Sequence, residues 1–188
     1  ACIARIDEDP DEAYEDALAW SFEGNRPGAR QCVALALIAL GQEAEGAARL
    51  EELANASDSG SMDQRAVYLM QAGNAWLVAG APEAAVVTLT NALKIRPDDA
   101  NLLVDRASAQ ILLEKWPEAI KDLDKALSAS PGLAAAHQLR AEARLNMNDL
   151  QPALADVKAA MAAEPDNIDT LVLRGRIREA IRLSEVRM

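Results

Sequence analysis

The chain has 188 residues, 51% of them hydrophobic but only 3% aromatic, and a formal net charge of −11. Its apolar content is mostly Ala, Leu and Val, which suits helices packed closely together, and alternating strand patterns with hairpin turns are scarce, so the fold class expected is all-α. No run of about 18 uncharged apolar residues supplies a membrane span, and the negative charge argues against nucleic acid as the main ligand, because phosphate binding needs a basic face.

In chain order, residues 1–26 read as an N-terminal helix. In DPDEAYEDALAWSFEGN, Asp9 or Asp11 can cap it, and Ala13, Ala17, Leu18 and Trp20 can pack. Residues 27–65 hold a degenerate helical pair turned at Gly41, with Leu37, Leu50 and Leu53 as core. It ends in an insertion of about five residues within ASDSGSMDQ, and the next helix starts near Ser61.

From residue 66 a period appears. Prolines stand at 97, 131 and 165, a step of 34 residues. Ala92, Ala126 and Ala160 keep that step, as do Ala85, Ala119 and Ala153, and the small residues Gly73, Ala107, Ala141 and Gly175. The units are 66–99, 100–133 and 134–167, with a terminal capping helix over 168–188.

Each unit predicts two helices. In the first, Val67, Met70, Leu77 and Val78 share a helical face, Gly80 and Pro82 break it, and a second helix runs to Ile95. Pro97 stops it, because the residue before proline is pushed out of the helical region. Trp116-Pro117-Glu118 and Asn148-Asp149-Leu150 mark the same turn in the next two units. The small residue at unit position 8 and the alanine at position 20 are placed where the two helices cross, at an axial separation of about 8–10 Å. Gly46 takes the position-20 place in the degenerate unit.

This pattern resembles the tetratricopeptide repeat, whose motif asks for Trp or Leu at 4, Leu at 7, a small residue at 8, Tyr at 11, Ala at 20, Phe or Leu at 24, Ala at 27 and Pro at 32. The first unit supplies Leu69, Gly73, Trp76, Ala85, Leu89, Ala92 and Pro97, with Ala72 at position 7. The second supplies Leu103, Ala107, Ala119, Leu123, Ala126 and Pro131. The third supplies Ala141, Ala153, Val157, Ala160 and Pro165, with His137 at position 4. The resemblance implies a right-handed α-solenoid of helix-turn-helix repeats, similar to bacterial scaffolds of envelope and secretion assemblies.

It also implies that positions 2, 5, 9, 12 and 13 face a concave groove that binds a protein or peptide. These are Val67, Met70, Asn74, Leu77 and Val78, then Asn101, Val104, Ser108, Ile111 and Leu112, then Ala135, Gln138, Glu142, Leu145 and Asn146. For positions 12 and 13 the competing reading is interhelix core. Chaperone-binding members grip a C-terminal carboxylate with groove cations. Here Met70 stands where a lysine is usual beside Asn74, and no groove Lys or Arg follows in the next two units, so that clamp is not expected.

No Cys/His cluster has metal-ligand spacing, and no Ser–His–Asp set or Gly-rich phosphate loop stands in motif context. His137, the sole histidine, sits at a core-type position, and Asp98-Asp99 and the Asp122/Asp124 pair read as helix N-terminal charges and solvated faces. No catalysis, cofactor or metal is expected. Cys2 and Cys32 are either a disulfide closing the N-terminal region, which implies an oxidising compartment such as a bacterial periplasm, or two unpaired thiols of a cytoplasmic protein. Residues 1–26 hold eight acids against two arginines, whereas residues 168–188 carry Arg174, Arg176, Arg178, Arg182 and Arg187. Head-to-tail homo-oligomers through the terminal helices are therefore the alternative to groove binding, the simpler account being a basic last helix that suits its own C-terminus.

Overall fold

The computed structural model describes residues 2–186, with side chains from Ile3. The side chain of Cys2, and Arg187, lie outside the described residues. Every regular element among the described residues is a helix: α1 (Cys2–Ile6), α2 (Pro10–Phe22), α3 (Pro27–Ala39), α4 (Glu43–Asn55), α5 (Met62–Val78), α6 (Pro82–Ile95), α7 (Ala100–Leu112), α8 (Trp116–Ala129), α9 (Ala134–Asn146), α10 (Leu150–Ala163) and α11 (Ile168–Val186). None is long and apolar enough to cross a membrane. The helices fall into two compact units, residues 1–97 and 98–188.

The turn inside each hairpin follows from one backbone device. Gly41 and Gly80 have φ of 77° and 71°, and Glu114 and Asn148 have 57° and 59°. Gly80, Glu114 and Asn148 are each one 34-residue step apart, and Gly41 is offset by the five-residue insertion. Each lies just past a helix end in the left-handed conformation, which reverses the chain and returns two amides to the last carbonyls. The Ala81 amide donates to Trp76 O at 2.9 Å and that of Gly80 to Leu77 O at 3.1 Å. Gln42, Lys115 and Asp149 donate to Leu37, Gln110 and Arg144 in the same way, at 2.8–2.9 Å.

Helix starts are set by caps and prolines. Asp9, Ser61 and Asp99 accept from amides of the first turns of α2, α5 and α7, and Asn167 accepts from Thr170 N at 3.0 Å before α11. Pro10, Pro27 and Pro82 open α2, α3 and α6, where a missing N–H costs nothing. The N-terminal region differs from the single helix expected. Pro10 and the Asp9 cap start a new helix, which leaves α1 as a separate short segment beside α2 and α3. Ala13 and Ala17 are buried, but Trp20 remains 39% exposed, its indole edge lying over Gly28.

In the first unit α3 packs on α4 and α5 on α6, with α2 against α3 and α4 against α5; in the second, α7 packs on α8 and α9 on α10, with α8 against α9 and α10 against α11. The predicted crossing points are closely packed. Ala85, Ala107, Ala119, Ala141 and Ala153 have no exposed surface. A Cβ on Gly46 would stand 2.6 Å from the Ala34 carbonyl oxygen and 2.5 Å from Ile38 Cγ1, and one on Gly73 would stand 2.5 Å from Leu89 Cγ. Gly175 is the exception: it is exposed, and a Cβ there would meet nothing within 4 Å, because no described second helix follows α11.

Three substitutions test these constraints in urea unfolding. Gly46→Ala should destabilise by about 1–3 kcal/mol through overpacking against backbone. Gly175→Ala should be neutral or stabilising by up to about 1 kcal/mol, as for an open helix interior. Glu114→Gly should stabilise by about 1 kcal/mol by relieving a left-handed residue that carries a Cβ.

Candidate functional site

On α5 the buried residues Tyr68, Leu69, Ala72 and Gly73 fix which way the helix faces. Val67, Met70, Asn74 and Leu77 are then left half-buried along the opposite edge and Val78 is 69% exposed. Val67 also lines a cleft of about 490 Å³ with Gln31 of α3, Asp63, Gln64, Tyr68 and Arg96. Gln31 Nε2 donates to Gln71 Oε1 of α5 at 2.9 Å. Glu51 of α4 accepts from Trp76 Nε1 at 3.1 Å and from the Thr88 hydroxyl, which anchors α4 to both helices of the next hairpin.

In the second unit Asn101 is exposed and Val104 and Ser108 are half-buried on α7. The Ser108 hydroxyl donates to Val104 O at 3.1 Å within its own helix. Ile111, at 9% exposure, is corrected to core, whereas its neighbour Leu112 is 62% exposed. Gln138 and Glu142 of α9 are half-buried, and both line a cleft of about 330 Å³ with Asp169, Val172, Leu173 and Arg176 of α11. Gln138 accepts from the Thr170 hydroxyl at 2.8 Å. Ala135 and Asn146 are exposed and Leu145 half-buried against the core of this unit.

Asp169, Val172 and Arg176 were not among the expected groove residues. They occupy positions 2, 5 and 9 of the partial fourth unit, so the same register carried one step further finds them. Gln31 is likewise position 5 of the degenerate unit.

Polar chemistry inside the second unit is structural. Asp122 is corrected from a solvated face: it is 6% exposed and held bidentate by Arg106, with Nε and Nη2 each donating at 2.7 Å. One step on, Arg140 Nε and Nη2 donate to Asp156 at 2.9 and 2.5 Å, Arg144 Nη1 adds a contact of 2.6 Å, and His137 Nδ1 lies 3.1 Å away. His137 Nε2 faces the Pro131 carbonyl oxygen at 3.0 Å, and Arg140 Nη1 donates to Asp124 at 2.6 Å. Burial opposes ionisation of Asp156. The hydrogen bonds from Arg140 and His137 and the charges of Arg140 and Arg144 outweigh it and hold the carboxyl below its ordinary range. No group of three or more potential metal ligands gathers among the described residues.

Comparison with known proteins agrees with this geometry. Residues 77–143 match the family model described as tetratricopeptide repeat. Mouse sperm-associated antigen 1 is 37% identical over 95 residues, which is 50% of this chain but 10% of that protein. The solved first tetratricopeptide domain of Spaghetti, bound to the HSP90 peptide SRMEEVD, superposes with a TM-score of 0.62 at 26% identity and covers 64% of this chain and 95% of that one. The crystal structure of MamA reaches a TM-score of 0.65 over 81% of this chain and 96% of its own at 13% identity, a likeness of fold alone. The chain is an all-α protein built of tetratricopeptide helix-turn-helix repeats. The mouse relative gives no support to a bacterial origin.

Asp156→Ala should cost about 3–5 kcal/mol at neutral pH, since it leaves buried cations without their counter-charge. A depressed folded-state pKa gives stability that is present above the unfolded value, near 3.8, and lost as pH falls through the folded one. Unfolding free energy should therefore drop on acidification below about pH 4, and Asp156→Asn should flatten that slope in urea titrations at successive pH values.

Proposed function

We propose that the chain is a non-catalytic adaptor or scaffold that binds a protein or peptide segment on the first-helix faces of its repeats. The observation that carries this reading is the placement of Met70 and Val104. Both are apolar, both are left half-buried at the centre of a first-helix face, and both are flanked by polar side chains able to fix an extended or helical segment.

The Spaghetti domain shows that a repeat array of this fold takes a peptide ending in EEVD. The ligand here differs in chemistry. Met70 stands where the cationic clamp has a lysine, and Arg106, Arg140 and Arg144 are engaged with Asp122 and Asp156 inside the unit. The bound segment is thus anchored by apolar side chains and hydrogen bonds instead of by a terminal carboxylate.

The test is a pull-down from native cell extract with wild type, Met70→Glu and Val104→Glu in parallel, the bound proteins being identified by mass spectrometry. Capture by wild type alone, with helicity and mass unchanged in the variants, is expected. Free SRMEEVD peptide should not compete. Equal capture by all three proteins would overturn the assignment and favour end-to-end self-assembly.

We also propose a Cys2–Cys32 disulfide and, with it, an oxidising compartment such as a periplasm. In support, Cys32 is buried in the cluster of Ala17, Val33 and Leu37, and α1, which begins at Cys2, lies against α3. Alkylation without reductant should leave both cysteines unmodified in the mass spectrum. Reduction should cost about 3–4 kcal/mol in the chain-entropy account.

A further inference from the structure

Tyr68 is only 1% exposed, yet its hydroxyl makes no hydrogen bond to a described residue. A buried phenol ordinarily finds a partner for its O–H, because an unmet one costs its desolvation. Nor is this oxygen sealed in the interior. Among the described residues, the side-chain polar atoms closed to solvent without a partner are Arg30 Nε, Arg65 Nε and Gln110 Oε1. The Tyr68 hydroxyl therefore opens where its side chain lines a cavity, in the cleft of about 490 Å³ between α3 and α5.

The other lining residues define the chemistry that this hydroxyl can meet. The Gln31 side chain donates through Nε2 to Gln71 Oε1 and makes no other hydrogen bond to a described residue, which leaves its own Oε1 as an acceptor. The Tyr68 hydroxyl is available as a donor. The Gln64 carboxamide, likewise without a hydrogen bond to a described residue, stands exposed at the rim. Val67 supplies a half-buried apolar wall. Asp63 and Arg96 bring one charge of each sign to the lining, so the cleft offers a ligand no net charge.

We propose that this cleft is a subsite for a neutral carboxamide, the side chain of an Asn or Gln in the segment that the groove holds. Its C=O accepts from the Tyr68 hydroxyl, its NH2 donates to Gln31 Oε1, and its methylenes lie on Val67. A carboxylate of the same shape has no N–H for Gln31. A hydrocarbon side chain would shut out water and leave both protein groups unmet. An ammonium or guanidinium would enter a cleft that holds no surplus negative charge. Because Tyr68 is buried to this degree, a projecting side chain is the group that reaches its hydroxyl, in preference to a main-chain amide. The assignment deepens the groove reading and rests on it for the segment that carries the carboxamide.

The probe is N-acetyl-glutamine methylamide, titrated into the full chain and followed through backbone and side-chain amide resonances. The N-acetyl methylamides of glutamate and leucine are the controls, since they carry the same main-chain amides. Shifts centred on Gln31, Gln64 and Val67 are expected. The glutamine probe should bind at least about fivefold more tightly than either control, the factor that one neutral hydrogen bond supplies. In Tyr68→Phe it should weaken by about fivefold toward the controls. The urea midpoint of that variant should match wild type, because the hydroxyl has no described partner inside the protein. A lowered midpoint would show an internal role for the hydroxyl and overturn the proposal. So would absence of binding, an unchanged preference in Tyr68→Phe, or equal binding by all the probes, which would give the cleft to main-chain amides. The probe fills the cleft without a groove-bound segment. These outcomes are therefore separate from the capture by Met70→Glu and Val104→Glu that tests the groove reading itself.

Discussion

The close approach of two helices within each hairpin is the constraint on which the other features depend. The position-8 and position-20 residues must be small because the facing helix leaves room for little beyond a Cβ, and at Gly46 not even for that, since one would stand 2.6 Å from the Ala34 carbonyl oxygen. Once the axes are that close, the second helix cannot also fill the far edge of the first. The far edge then carries Val67, Met70, Asn74 and Leu77 in the first unit and Val104 and Ser108 in the second. The proposed binding face is thus a by-product of tight packing on the other side. With few aromatic residues to fill space, alanine contacts and buried Leu side chains carry most of the core.

Buried ion pairs add a second layer in the later repeats. Arg106 with Asp122, and Arg140 and Arg144 with Asp156, join the two helices of a hairpin by bidentate contacts whose geometry admits one registry. Such pairs contribute little net stability compared with an apolar contact of the same size, and their clearer effect is on which arrangement forms. They also remove arginines from the surface chemistry. A count of basic residues on α7 and α9 overstates what a ligand can meet, because these guanidinium groups face carboxylates inside the unit.

The helices from α3 to α11 could be read from the 34-residue period, the prolines and the capping residues, because these act through local backbone chemistry. The left-handed turn at Glu114 and Asn148 could be placed by register; Asn148 suits that conformation, whereas Glu114 does not advertise it as Gly80 does. The break that separates α1 from α2 was missed because Pro10 and Asp9 start a helix without revealing that another ends just before. Of the candidate groove, Ile111 was misplaced, since its apolar character fits core and surface equally. Arg176 was passed over because the partial fourth unit was read only as a cap.

The sequence by itself determined the all-α class, the repeat length and the small residues at the crossings, since each is a local or periodic property of the chain. The tertiary structure decided which polar groups are engaged. Asp122 and Asp156 look like any surface acids in the sequence. They are internal because a helix sixteen residues earlier brings an arginine to each, and burial at that spacing depends on the packing of two helices against one another.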